Sequence, residues 1–210
     1  MFITLEGPEG SGKSSQLPEL AEWMRRQGYD VFTTREPGGT SIGDQIRSVL
    51  GNLENTAMQP RTEILLFLAA RAQLVEEVMR PLLAKGTIIL CDRYADSTLA
   101  YQGYGHGIHL DTLRKLLDFA TGGLYPDLTL LLDLDVQSGL DRRKNSGGEW
   151  NRLDAYALAF HQRVRQGYLE LAQSEPDRWI TINADRPFEE VQLALQKALT
   201  EKLSILRKTL

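Results

Sequence analysis

The sequence predicts an α/β fold, a parallel five-stranded sheet flanked by helices with a short lid, and three observations carry that prediction. Short apolar runs alternate with long amphipathic segments, the pattern of a parallel sheet covered on both faces. Two of those runs, TIILCD (87–92) and LTLLLDLD (128–135), are apolar almost throughout, as strands buried on both faces must be. A glycine-rich turn, GPEGSGKSS (7–15), joins the first run to the first helix. At 210 residues the chain fits one domain, or one domain with a lid.

Taken in order, FITLEG (2–7) is a strand that feeds the glycine turn, and residues 13–27 continue as a helix. DVFTTRE (30–36) is a second strand. Residues 41–50 read as a helix and 62–85 as a longer one, with Pro81 as a bend near its end. After the two apolar strands come helices at 154–174 and 187–206, separated by the strand WITIN (179–183). The stretch RRKNSGGEWNR (142–152) has two glycines and no apolar periodicity, so it reads as a mobile segment. Neither repeats nor low-complexity tracts interrupt the pattern.

Composition narrows the function classes. A quarter of the residues are charged and the net charge is −4, which disfavours a sequence-independent grip on a nucleic-acid polymer. No apolar run approaches the ~20 residues of a membrane span. The single cysteine, Cys91, permits no internal disulfide and reads as an inert buried thiol. The N-terminus opens directly into a strand, with neither a basic region nor a cleavage site, so the expected location is cytoplasmic. His106, His109 and His161 show no metal-ligand spacing.

The chemistry begins at the turn. Gly7, Gly12, Lys13 and Ser14 complete G-x-x-x-x-G-K-[ST], a P-loop, between a predicted strand and a predicted helix. Its residues Pro8, Glu9, Gly10, Ser11 and Ser15 complete a cradle whose backbone N–H groups converge on phosphate oxygens. Lys13 reaches the β and γ phosphates, and the Ser14 hydroxyl ligates Mg²⁺. Such a loop identifies a nucleotide, ATP in a kinase, and leaves the reaction open. Glu9 is the odd member, an acid where negative charge arrives.

Four further features bear on the reaction. TREPGGT (34–40) ends a strand in a tight turn, and Arg47 follows on the next helix. Phe67 and Arg71 stand at i, i+4 on one helix face, as core and solvated charge or as an aromatic and a cation meeting one ligand. CDRY (91–94) ends the buried strand where ligands of open parallel sheets bind; Asp92 suits Mg²⁺ or its waters and Arg93 a phosphate. YQGYGHG (101–107) adds Tyr101, Gln102 and a glycine-rich turn. Asp133 and Asp135 end another strand in a structural or capping role.

EGPEGSGKSSQ, TREPGGT, FLAARAQLVEE, DRYADSTLAYQGYG and PDLTLLLDLD together resemble the thymidylate kinase family, in order and at similar separations over residues 2–185. The resemblance implies a P-loop nucleoside monophosphate kinase fold that phosphorylates dTMP to dTDP with ATP and Mg²⁺, usually as a homodimer. It also implies residue roles: Phe67 stacks on thymine and Arg71 bonds its edge; Arg47 and Arg93 hold the dTMP phosphate. Asp92 serves the magnesium region, Ser97 and Gln102 line the base pocket, and Tyr101 packs near the sugar. Glu9 approaches the 3′-hydroxyl.

Some members of this family carry a catalytic arginine in the loop, where this chain has Gly10; the resemblance is to the bacterial-like type, which implies basic residues in a short lid instead, here at about 141–154. Its basic residues are Arg142, Arg143, Lys144 and Arg152, of which Arg152 matches the family's lid arginine best and is the expected catalytic one. Arg142 is expected to contact ATP. Part of the dimer surface is expected on the apolar helix at 65–78. The rival readings are a P-loop kinase of another nucleoside monophosphate or deoxynucleoside, and a nucleotide switch. A GTP-reading N-K-x-D segment, which a guanine-specific switch needs, is absent from the sequence.

Overall fold

The computed structural model describes residues 1–145, 147 and 150–209, with 204–209 by their backbone alone. Five strands, β1 (Phe2–Glu6), β2 (Val31–Arg35), β3 (Ile88–Asp92), β4 (Leu128–Asp133) and β5 (Trp179–Asn183), form one sheet in the order β2-β3-β1-β4-β5. Every pairing is parallel, and the register sets Leu5 and Arg35 on either side of Asp92. The loops leaving β1, β2 and β3 therefore emerge together, beside the point where strand order reverses.

Side-chain alternation sends Ile3, Leu5, Leu90, Leu130 and Leu132 to one face and Phe2, Ile89, Cys91 and Leu131 to the other. On the first face lie α1 (Lys13–Arg26) and α9 (Phe188–Thr209), through Leu17, Leu20, Met24, Leu195 and Leu199. The second face is covered by α3 (Pro60–Leu74), α6 (Leu110–Thr121) and α8 (Leu158–Ser174), through Leu68, Leu74, Leu113, Leu117, Val164 and Tyr168. After α2 (Ser41–Gly51), which carries Arg47, Pro60 opens α3 at a position where its missing N–H costs nothing. Among the described residues no helix is long and apolar enough to cross a membrane.

Four expectations need correction. The helix expected at 62–85 changes character before Pro81: α3 passes through a π-helical stretch, Val75–Met79, into α4 (Arg80–Ala84). A helical segment after β3, α5 (Ala95–Thr98) running on as a π-helical Leu99–Gly105, was not anticipated. Neither was α6, although its amphipathic LDTLRKLLDFAT repeats at helical spacing and ends on Gly122 at φ 57°. Finally, α7 (Val136–Asn145) carries the first third of the expected lid as regular helix, so Arg142, Arg143 and Lys144 are helical residues. Asp135 caps it by accepting from Ser138 N at 3.0 Å, and Asp133 pairs with Arg165 at 2.7 and 2.9 Å. Ser146, Gly148 and Glu149, in the middle of the expected lid, lie outside the described residues.

Candidate active site

A cleft of about 590 Å³ opens where β1, β2 and β3 end, between the glycine loop and α3. Residues 9–15 of the loop line one side. Arg47, Phe67, Arg71, Asp92 and Arg93 line the other, joined by Ser97, Tyr101 and Gln102. Arg142 and Arg143 complete the rim from α7. Gly7 and Pro8 stand behind the cradle, where their carbonyls accept from Lys13 Nζ at 3.0 and 2.8 Å.

The loop's geometry rests on glycine. Gly7, Gly10 and Gly12 have φ of 146°, 69° and 93°, a region that L side chains rarely adopt. Gly10 is also pressed against α7: a Cβ there would stand 1.9 Å from the carbonyl oxygen of Gly139, and one on Gly139 would stand 2.2 Å from that of Glu9. No side chain fits at Gly10. The same contact locks the loop to α7, and Arg142 and Arg143 follow Gly139 by three and four residues, hence on its face of the helix.

Glu9 is paired. Its Oε1 accepts from Arg93 Nη2 at 2.9 Å and from the Tyr101 hydroxyl at 2.7 Å. Burial alone pushes this carboxyl up, but the charges of Arg93 and Lys13 with the Tyr101 hydrogen bond outweigh it and hold Glu9 at about 2. Arg93 sits at φ 67°, unusual for a non-glycine residue, and its Nη1 donates to Gly7 O at 2.9 Å and Tyr168 Oη at 3.0 Å. Beneath it, buried Glu6 accepts from Tyr94 N, Ser97 Oγ and Tyr168 Oη at 2.7, 2.6 and 3.0 Å. Burial, then nearby Asp96, pushes Glu6 up to about 7.

On the far side Arg71 is 1 % exposed, with Nε on Glu36 at 2.7 Å, Nη1 on Thr98 Oγ1 at 2.9 Å and Nη2 on the Tyr94 carbonyl at 2.9 Å. Its orientation is thus set by protein groups, with one edge in the cleft. Arg47 donates to Pro37 O at 3.0 Å; burial and then Arg35 push its pKa down. Ser14 Oγ donates to Asp92, bringing together the two residues expected near Mg²⁺.

Arg152 is the one expected catalytic residue that the fold takes elsewhere. It is 8 % exposed and absent from the cleft wall; its guanidinium donates to Leu50 O at 3.0 Å, Tyr156 Oη at 2.7 Å and Glu63. The basic side chains of this region that reach the cleft are Arg142, on Ala184 O and Asp185 at 2.9 Å each, and Arg143, on Asp154 at 3.1 and 3.3 Å. Sequence reasoning also passed over Arg35, Glu36, Thr98 and Tyr168. Arg35 and Glu36 lie within TREPGGT and Thr98 within DRYADSTLAYQGYG, so the motifs held all three, and of the four only Tyr168 had no signal. Three-residue acidic or His/Cys clusters able to hold a metal do not occur among the described residues.

The family model described as Thymidylate kinase matches residues 5–195. A thymidylate kinase of Herpetosiphon aurantiacus is 48% identical, over 95% of this chain and 97% of its own length. One of Roseiflexus castenholzii is 53% identical over 90% of this chain and 88% of that protein. Among solved structures, thymidylate kinase from Ehrlichia chaffeensis superposes with a TM-score of 0.77 at 33% identity, covering 95% of this chain and 98% of the other.

Proposed function

The chain belongs to the thymidylate kinase family, and on that premise we propose how its residues divide the work. It is a nucleoside monophosphate kinase that phosphorylates dTMP to dTDP with ATP as donor. The observation that carries the residue assignment is a single cleft walled by the P-loop on one side and by Arg47, Phe67, Arg71, Arg93 and Gln102 on the other. Donor and acceptor phosphates then meet between Lys13 and Arg93.

Phe67 offers its ring to thymine, Arg71 bonds the base edge, and Arg47 and Arg93 hold the acceptor phosphate. Tyr101 packs beside the sugar, and Ser97 supports Arg93. Arg142, fixed beside Asp185 at the donor end, serves ATP. Arg143, on the face of α7 that meets the loop, supplies the positive charge at the migrating phosphoryl that Gly10 cannot; this replaces Arg152 in that role. No general base is needed, because the attacking oxygen is already anionic. Ser14 and Asp92 fit Mg²⁺, which takes few protein ligands and completes its shell with substrate phosphates and water. When bound, the ion neutralises charge on the β and γ phosphates. The reading extends to a lid over 141–154 of one domain, a cytoplasmic setting and a homodimer. Exposed Leu65 on α3 and Phe119 on α6 support the dimer face.

Coupled measurement of ADP formation tests the assignment: turnover requires dTMP, and the no-acceptor rate is negligible. In the same assay Glu9→Ala raises KM for dTMP roughly tenfold, since a carboxylate partner of Arg93 and of the sugar hydroxyl is lost, and leaves KM for ATP nearly unchanged. The reverse pattern sinks the acceptor role of Glu9. Lys13 supplies a pH test. Burial, then Arg93, pushes its ammonium down to about 8, and arriving phosphates favour the charged form. ATP binding therefore takes up a proton as pH rises through about 8 and takes up little below it. Calorimetry in buffers of different ionisation enthalpy reads that uptake directly.

A further inference from the structure

We propose that Glu63 sets the base specificity of the cleft without touching the substrate, by fixing the side-chain amide of Gln102 with its carbonyl oxygen left to meet the base. The inference rests on the reading of Gln102 as a base-pocket residue. Glu63 lies in the first turn of α3, is 1 % exposed and is not part of the cleft wall. Its two oxygens serve different partners. Oε1 accepts from Gln102 Nε2 at 2.8 Å and His106 Nε2 at 3.2 Å, while Oε2 accepts from Arg152 and from Tyr156 Oη at 3.0 Å.

A carboxylate has only acceptors, so the end of the Gln102 amide that meets it must be the NH₂. Burial pushes the Glu63 carboxyl up, but hydrogen bonds from His106, Gln102 and Arg152 hold it at about 2, and it stays ionised near neutral pH. Gln102 is itself 1 % exposed, and a flipped amide would set oxygen against oxygen in a buried site. The carbonyl oxygen is therefore the end offered to the cleft that Gln102 helps to line.

That choice discriminates between pyrimidines. Thymine presents an N3–H donor, which a carbonyl oxygen satisfies. Cytosine presents a lone pair at N3, which the same oxygen repels and which an NH₂ would satisfy. Glu63 selects the keto base by denying Gln102 its other orientation.

The test compares kcat/KM for dTMP and dCMP. Glu63→Gln frees Gln102 to turn, because a neutral amide at 63 faces it with either a donor or an acceptor. The dTMP/dCMP ratio is expected to fall roughly tenfold or more, with KM for dTMP rising more than kcat falls. Tyr156→Phe removes a donor from Oε2 and an acceptor from Arg152, leaves Oε1 with both its partners, and is expected to keep the wild-type ratio. If Glu63→Gln lowers both substrates equally and leaves the ratio intact, Glu63 is only a packing group and the inference is overturned. Should that variant not fold, Glu63→Asp keeps the negative charge in the site but draws both oxygens back by one methylene, from Gln102 as from Arg152, and the same fall in ratio is required of it. Gln102→Ala separates the two layers. If it keeps full dTMP preference, the base-reading role of Gln102 fails first; if it loses that preference and Glu63→Gln does not, only the role of Glu63 fails.

Discussion

Arg143→Ala is expected to lose roughly 10³-fold in turnover, out of proportion to any fall in its melting temperature, whereas Arg152→Ala is expected to lose stability and keep most of its turnover. The contrast follows from what each guanidinium touches. Arg152 faces Glu63, whose side chain is 1 % exposed, and donates as well to Leu50 O and Tyr156 Oη. Truncation removes the cation from a buried carboxylate, a change that costs about 3–5 kcal/mol. The low end applies, because Gln102, His106 and Tyr156 still donate to Glu63. For a chain of this size that is a fall of roughly 10 °C in melting temperature. Arg143 lines the cleft beside the loop, and after its removal Asp154 still accepts from Asn151 N at 2.9 Å. Thermal melts and steady-state rates on both variants decide the matter. An Arg152→Ala protein that melts like wild type but turns over 10²-fold more slowly, by the roughly 10²–10³ scale of a lost charge donor, would return the catalytic role to Arg152.

The match to the family's lid arginine points to Arg152, and local pattern has nothing to set against it. The strands were legible because buried parallel strands are written as apolar runs, and the loop because its glycines and Lys13 are contiguous. Phe67 and Arg71 were legible as a helix-face pair, and the fold brings both to the cleft. The partner of Arg152 is not contiguous: Glu63 is 89 positions away, and nothing in NRLD announces it. Glu36 likewise stands 35 positions from the Arg71 it orients, so the rigidity of Arg71 was invisible before the sheet was assembled. The missed helix α6 had an amphipathic period in plain view; the glycine-rich segment ahead of it drew attention to a turn instead. The contact of Gly10 with Gly139 gives the clearest case. Sequence suggested that Gly10 lacks an arginine, and the fold adds that an arginine has no room there.

Lys13→Met is expected to cut turnover by roughly 10²–10³-fold and to raise KM for ATP by a smaller factor, roughly tenfold. All three ammonium hydrogens are committed within the loop, to Gly7 O at 3.0 Å, Pro8 O at 2.8 Å and Ser11 Oγ at 3.1 Å, and the residue is 5 % exposed. Near neutral pH the charge is therefore in place before any nucleotide arrives, and it needs no reorganisation when negative charge shifts toward the β–γ bridge. Methionine keeps the apolar stem and removes only the charged head, so the loop loses donors rather than volume. Gly7 O still receives Arg93 Nη1 at 2.9 Å, which limits the damage to the fold. Arginine in place of lysine is expected not to restore the rate. Its planar fork is too broad for a site bounded by three acceptors at hydrogen-bond distance, and its donors point in one plane rather than around a point charge. Recovery of more than a tenth of wild-type turnover in Lys13→Arg would mean that net charge, rather than its placement, is what the loop supplies. A Lys13→Met protein that raises KM for ATP while keeping kcat would mean that this charge holds ground and transition states equally. Either result would also weaken the account of Glu9, whose low pKa depends after Arg93 on the same ammonium, and whose place at the acceptor edge makes sense only if Lys13 faces the donor.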